Sequence, residues 1–243
     1  MSLAAAAREW LDPLLAVVFR ATCVVCHTPV EHPTGGLVCE ACWGAIRRHE
    51  HPLCRCGGPR ASGGAPLCGR CRRGLTPFEK AASLGPYEGV LRSVIHEVKY
   101  VGRRRLISRL ADALLADGVV RHILSPGTLL VPVPLHPRRR LERGFNQAEL
   151  LTREIARRTG LRLSSGALVR RKETRPQTGL SASGRRRNVS GAFAVRRASA
   201  VRGTVVVLVD DVFTTGATAR ACADVLRRAG AAEVRVLTLA RVA

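Results

Sequence analysis

Two kinds of residue in this 243-residue chain could do chemistry by type and spacing: an acidic pair followed by hydroxyls and glycine, and a run of clustered cysteines. The first lies in Val205-Val206-Val207-Leu208-Val209-Asp210-Asp211-Val212-Phe213-Thr214-Thr215-Gly216-Ala217-Thr218. Five apolar residues read as a buried strand that ends in two carboxylates, after which a short loop opens a helix. In open α/β sheets, ligands gather at such carboxyl ends of strands. Loop amides and a helix N-terminus make an anion seat, and threonine hydroxyls add donors. Carboxylates beside that seat suit vicinal sugar hydroxyls, or a magnesium ion held between hydroxyl and phosphate. The bland alternative is an Asp-Asp turn with a threonine N-cap.

The cysteines divide the chain. Eight of the nine fall between positions 23 and 71, and Cys222 stands apart in a helical pattern as a small buried hydrophobe. The clustered ones read Cys23-x2-Cys26 and Cys39-x2-Cys42, then Cys54-x-Cys56 and Cys68-x2-Cys71. Each pair is a knuckle whose two thiolates can meet one ion, and two knuckles supply a tetrahedral structural zinc. A segment this short and rich in Gly and Pro forms little core, so metal would supply its folding free energy. Disulfides are the competing reading, but no secretion signal precedes the cluster. His27, His32, His49 and His51 could replace a thiolate, yet four cysteines per cluster leave no vacancy. Chain order favours two sequential sites, with interleaved pairing left open.

The remaining chain must build the scaffold that holds the acids. Residues 76–88 read as a linker with an edge strand. Apolar spacing over 89–116 is helical, through Leu91, Val94, Ile95 and Val98 and then Leu106, Leu110 and Leu114. Residues 129–133 form a short strand, 146–159 a helix, 205–209 an interior parallel strand, 218–229 a helix and 233–240 a strand. Alternating strands and helices predict an α/β domain with a mainly parallel sheet and flanking helices. The expected organisation is an N-terminal helix in 1–22, a double zinc-ribbon domain in 23–75 and the α/β domain in 76–243.

Composition narrows the partners. Hydrophobic residues at 46% exclude wholesale disorder, and aromatics at 4% leave the core to Leu, Val, Ala and Ile. No apolar run reaches the roughly 20 residues of a membrane span, so a soluble cytoplasmic protein without membrane insertion is expected. The formal charge of +22 comes from 40 Lys plus Arg against 18 Asp plus Glu, most of it after residue 80. Such a surface attracts phosphates, nucleotides or nucleic acid. Only three of the basic residues are lysines: Lys80, Lys99 and Lys172.

The stretch around Asp210-Asp211 resembles the phosphoribosyl diphosphate (PRPP) signature of type I phosphoribosyltransferases. The whole chain is similar to the ComF (GntX-like) family. Further stretches that carry the likeness are Ile95-His96-Glu97-Val98-Lys99-Tyr100, Val131-Pro132-Val133-Pro134-Leu135-His136, Arg143-Gly144-Phe145-Asn146-Gln147-Ala148 and Gln177-Thr178-Gly179-Leu180. The resemblance implies a Rossmann-like type I phosphoribosyltransferase fold behind a small zinc-ribbon domain, with Zn2+ in the ribbons and Mg2+ accompanying PRPP. It implies that Asp210 and Asp211 hold the ribose hydroxyls, while Thr214, Thr215, Gly216, Ala217 and Thr218 wrap the 5′-phosphate. Val133, Pro134, Leu135 and His136 would take the pyrophosphate-loop position. Residues 170–193, opening with Arg170, Arg171 and Lys172, would take the flexible-loop position.

Two functions follow as expectations. One is transfer of a phosphoribosyl group from PRPP, or a related compound, to an unknown acceptor, in a protein tied to competence and DNA uptake. The other is a catalytically silent PRPP sensor, or a single-stranded DNA-binding accessory to DNA-uptake proteins that uses ribbons and basic surface. The few aromatics weaken base stacking but not phosphate tracking.

Overall fold

The computed structural model describes residues 21–30, 37–49, 52–60, 65–172, 184 and 189–242. The helix expected in 1–22 and most of the basic run 173–188 therefore lie outside the described residues.

The core is a five-stranded, all-parallel sheet in the order β1-β7-β6-β2-β3. The strands are β1 (Lys80–Pro86), β2 (Leu129–Pro132), β3 (Arg162–Leu163), β6 (Val205–Phe213) and β7 (Glu233–Arg241). A separate antiparallel pair joins β4 (Leu168–Arg170) to β5 (Phe193–Val195). Strands covered on both faces read as unbroken apolar runs, as residues 205–209 do. Side chains alternate across the sheet. Val207, Val209, Leu237 and Leu239 join one core cluster, and Val206, Leu208, Val234 and Val236 join the other.

Two cysteine-rich lobes straddle this sheet. The first holds α1 (Glu40–Gly44) and adds Cys23, Val30, Val38, Cys42 and Ile46 to one core cluster. The second holds α2 (Gly69–Arg72) and adds Cys54, Cys56, Cys71 and Phe78 to the opposite cluster. Both lobes meet edge strand β1. His49 hydrogen-bonds Ser83 at 2.9 Å, and the Ala81 amide donates to the Arg55 carbonyl at 2.7 Å. A side chain at Gly85 would place its Cβ 2.1 Å from the Arg47 carbonyl oxygen, so only glycine admits the first lobe there. The expected edge strand is thus β1, at the edge of the sheet yet buried, since ribbon backbone shields its outer side.

The helical stretch expected over 89–116 is broken. It comprises α3 (Gly89–His96), a π-helical turn (Glu97–Val101) and α4 (Leu106–Leu115), with Gly102 in the left-handed region at the break. A π turn inserts a residue into the helical ladder and re-aims the side chains that follow. The helices α5 (Gly118–Ile123), α6 (Pro137–Arg143) and α8 (Ala198–Val201) are each under two turns long, too short for an apolar period to register. Helices α7 (Gln147–Thr159) and α9 (Ala217–Arg228) fall where periodicity places them. Each buries one face, with Leu151 and Ile155 on α7 and Cys222, Ala223 and Leu226 on α9.

Candidate functional site

Strand β6 runs on through Phe213, so Asp210 and Asp211 lie within it rather than just beyond its end. Consecutive strand residues face opposite sides, and the two carboxylates accordingly meet different neighbours. Asp211 accepts from Lys99 at 2.9 Å and from the Gln147 side-chain amide at 2.7 Å. Burial pushes its pKa up, but Lys99 and Gln147 outweigh that and hold it below the ordinary carboxylate value. Lys99 responds in kind, its pKa raised by Asp211 in spite of burial. Asp210 has no such counter-ion at contact distance among the described residues. Burial, and then the charge of Asp211, raise it to about 7.

These acids open into a cavity of about 540 Å3 at the carboxyl ends of β2, β6 and β7. Of the residues singled out beforehand, Asp210, Asp211, Thr214, Gly216, Thr218, Val133, Pro134, Leu135, His136 and Arg170 line it. Thr215 and Ala217 do not: Ala217 is buried in the core, and Thr215 keeps its carbonyl on Arg220 at 3.0 Å. Arg171 and Lys172 are exposed and outside the lining, whereas Arg170 turns inward and lies 5.5 Å from the Phe193 ring centroid. Burial lowers the Arg170 pKa, and Asp210 counters that.

The pieces are held by local grammar. Strand β2 ends at Pro132, and the Val133 amide donates to Val209 at 2.8 Å, tying the turn to β6. Pro137 starts α6 at its first position, where a missing N–H costs nothing. Asn146 caps α7 by accepting from the Ala148 amide at 3.1 Å and donates to the Val133 carbonyl at 3.0 Å. That cap sets Gln147 on Asp211. Gly216, in the left-handed region at φ 71°, is the N-cap residue of α9.

Sequence reasoning passed over part of the wall. Lys99, Gln147, Tyr87, His96, Tyr100, Arg139 and Arg143 also line the cavity. His96 Nε2 lies 3.0 Å from the Tyr87 hydroxyl, and the His96 and Tyr100 ring centroids are 5.2 Å apart. Burial, with Arg92 and Lys99 nearby, lowers the His96 pKa, so the ring is neutral near pH 7. A signal for Lys99 existed in composition: it is one of three lysines in a chain that otherwise uses arginine. Two of the lining residues carry a buried polar atom without a protein partner, Gln147 Oε1 and His136 Nδ1.

The eight clustered cysteines form two sequential quartets, Cys23/Cys26/Cys39/Cys42 and Cys54/Cys56/Cys68/Cys71, with the sulfurs of each within 4.8 Å of one another. The interleaved pairing is thereby set aside. Cys26 and Cys39 sulfurs lie 3.5 Å apart and Cys56 and Cys68 sulfurs 3.7 Å, close to the ~3.8 Å edge of a tetrahedral zinc–thiolate site. Backbone amides of Val25 and Cys39 point at the Cys23 sulfur, and that of Cys68 at the Cys54 sulfur. Thr28 lowers the Cys26 thiol to about 6. In the second quartet, burial opposes ionisation of Cys68, but the Cys71 amide and neighbouring thiols bring it to about 6. Each quartet therefore offers a ready thiolate, the form a metal takes, and both fit structural zinc.

Parallel sheet, acid pair and hydroxyl–glycine loop, with two thiol quartets in front, define a phosphoribosyltransferase-fold domain joined to a double zinc ribbon. Residues 146–243 match the family described as phosphoribosyl transferase domain, and residues 14–72 match that described as double zinc ribbon domain. The chain is 36% identical over 223 residues to the DNA utilization protein YhgH of Salmonella typhimurium, covering 90% of this chain and 96% of that one. It is 31% identical over 227 residues to Competence protein F of Haemophilus influenzae, covering 92% and 98%. Competence protein ComFC of Bacillus subtilis is 26% identical over 215 residues, covering 84% of each. The chain belongs to this ComF family of competence and DNA utilization proteins. Among the described residues no helix is long and apolar enough to cross a membrane.

Proposed function

We propose that this protein binds PRPP or a related phosphoribosyl compound in the 540 Å3 cavity and transfers its phosphoribosyl group to an acceptor. The observation that carries this reading is the convergence of Asp210, Asp211, Thr214, Thr218, His136 and Arg170 on that one space. The loop 214–218 would seat the 5′-phosphate on its amides and hydroxyls. Asp210 and Asp211 would hold the ribose hydroxyls, with Lys99 and Gln147 fixing the Asp211 rotamer. Arg170 and the turn 133–136 would meet the pyrophosphate. Magnesium, when bound, would neutralise phosphate charge beside Asp210.

In such a transfer the bond from C1 to the pyrophosphate oxygen breaks as C1 gains positive charge, and the acceptor forms the new bond. Fixed carboxylates near the sugar and cations over the leaving group stabilise that separation, so catalysis is mostly positioning and electrostatics. The neutral His96 and the rings of Tyr87 and Tyr100 line the cavity too, and they would meet the acceptor. Calorimetric titration with PRPP and Mg2+, followed by a pyrophosphate-release screen over acceptors, tests the reading. Absence of PRPP binding removes it, while binding without release leaves a sensor.

A second reading has its own support at the cavity rim. Arg143 lies 5.3 Å from the ring centroid of Tyr100, which is 66% exposed, and Arg138, Arg139 and Arg140 stand on the same short helix. A basic helix beside an exposed ring fits a single-stranded nucleic acid backbone, in keeping with DNA utilization. Single-stranded DNA affinity that is unchanged when Arg138, Arg140 and Arg143 are neutralised would dismiss it.

A further inference from the structure

We propose that Arg241 is a positioning residue that couples the second cysteine quartet to the loop 214–218, so that metal in the quartet and ligand on the loop stabilise each other. The proposal rests on reading that loop as a phosphoryl seat. Its basis is a continuous set of contacts through one aromatic ring.

Arg241 ends β7 with its guanidinium 4.3 Å from the Phe213 ring centroid, and its Nη1 donates to the Cys56 carbonyl at 2.8 Å. The knuckle can lie against the guanidinium only because of two glycines. A Cβ on Gly58 would sit 3.0 Å from Arg241 Nη2, and one on Gly57 would sit 2.8 Å from the Ala81 carbonyl oxygen. Phe213 is itself held at the edge by Phe78, the two ring centroids being 6.1 Å apart at 84°. The same ring then walls the loop. A Cβ on Gly216 would fall 2.5 Å from Phe213 Cζ, so ring and loop backbone are in direct contact. Quartet, guanidinium, ring and loop therefore touch in sequence, and a close-packed contact chain transmits displacement.

The energetics follow from burial. Arg241 is half-buried with a planar donor set, and its bond to the Cys56 carbonyl exists only while the knuckle is folded. Metal orders that knuckle. Without it the guanidinium loses a charge-assisted acceptor and its stacked position over Phe213 loosens. The amides of loop 214–218 then lose the wall that orients them before ligand arrives, which is what an anion seat requires. Coupling of two sites is reciprocal, so ligand on the loop must also retain metal in the quartet. The first quartet packs on the opposite face of the sheet with the other core cluster and provides an internal control.

The test uses the full chain carrying both metals. Hydrogen exchange of the Arg220 amide, which donates to the Gly216 carbonyl at 2.9 Å and so reports on the loop, is measured in unliganded wild type, Arg241→Gln and Gly58→Ala, with zinc content determined for each. The expected result is exchange about fivefold faster or more at the loop in both variants, with protection of the β6 and β7 interior unchanged. Two folded variants with full zinc and wild-type loop exchange would overturn the proposal. Should Arg241→Gln lose its fold, Gly58→Ala decides alone, since its added Cβ meets the Arg241 guanidinium from the knuckle side. The reciprocal arm follows zinc release to a chelating dye with and without Mg2+–PRPP. Cys26→Ser identifies the phase that belongs to the first quartet. PRPP should slow the second-quartet phase about fivefold and leave the first unchanged. Equal rates in a protein that binds PRPP by calorimetry would also overturn the coupling. Failure to bind PRPP would instead remove the ligand reading, and the exchange arm would still decide the role of Arg241.

Discussion

Lys99 Nζ lies 2.9 Å from Asp211 Oδ2, with both side chains largely buried, so the π turn after α3 is anchored on the acid pair of β6. Removing one partner of such a pair leaves an uncompensated charge and costs about 3–5 kcal/mol. Lys99→Met should therefore lower thermal stability strongly, and adding Asp211→Asn should restore part of the loss. Differential scanning calorimetry of the two variants checks this, and strictly additive losses would show that the pair is uncoupled. The sign with pH is fixed by both shifts. Asp211 is lowered, so its contribution is present above its ordinary value and lost on acidification; Lys99 is raised, so its contribution is lost only as pH climbs past the usual lysine range.

Asp210 behaves oppositely. Its pKa is raised to about 7 in the fold from an ordinary 3.8. Stability from its neutral form is complete below the lower value and is lost as pH rises through about 7. Asp210→Asn should then match wild type only below pH about 4 and exceed it in Tm by a margin that grows up to pH about 7. The same substitution should abolish Mg2+–PRPP binding, and proton release on binding to wild type should vanish with it. A wild-type titration whose heat does not depend on buffer ionisation near pH 7 would contradict an Asp210 that must ionise to bind.

Metal analysis of protein purified without chelator should give two zinc ions per chain, one for each quartet. Eight freely titrating thiols in the folded protein, with zinc near zero, would exclude structural metal. Chelation should unfold both lobes and uncover β1, because His49, Arg47 and Arg55 reach it from the two ribbons.

How far these features could be read from residues alone varies with their physics. The knuckle spacings and the apolar run 205–209 are local patterns, and the quartets and interior strand lie where those patterns place them. Asp210 and Asp211 belong to the strand, which apolarity alone could not show, because the Phe213 and Arg241 pairing that extends β6 is a contact between distant segments. Lys99 reaches Asp211 through a π turn that no hydrophobic period announces. The pair β4–β5 spans three residues on each strand, too short for any alternation to register. Arg170 differs from Arg171 and Lys172 only in the direction the strand gives it.

That difference supports the remaining prediction. Arg170 lines the cavity and faces Asp210, while Arg171 and Lys172 are exposed. If the leaving pyrophosphate meets Arg170, Arg170→Gln should weaken PRPP binding much more than ribose 5-phosphate binding, since only PRPP carries the diphosphate. Removing one charge-assisted contact of about 1.5–3 kcal/mol corresponds to a loss of roughly 10- to 150-fold. Neutralising Arg171 and Lys172 together should leave PRPP affinity within about twofold, because outward side chains in water contribute little. Should those two track a nucleic-acid strand instead, their loss must flatten the salt dependence of single-stranded DNA binding by roughly 0.7 log units per contact. Equal effects of the inward and outward substitutions on PRPP would show that the run acts as one diffuse charge, and the direction of Arg170 would then carry no role.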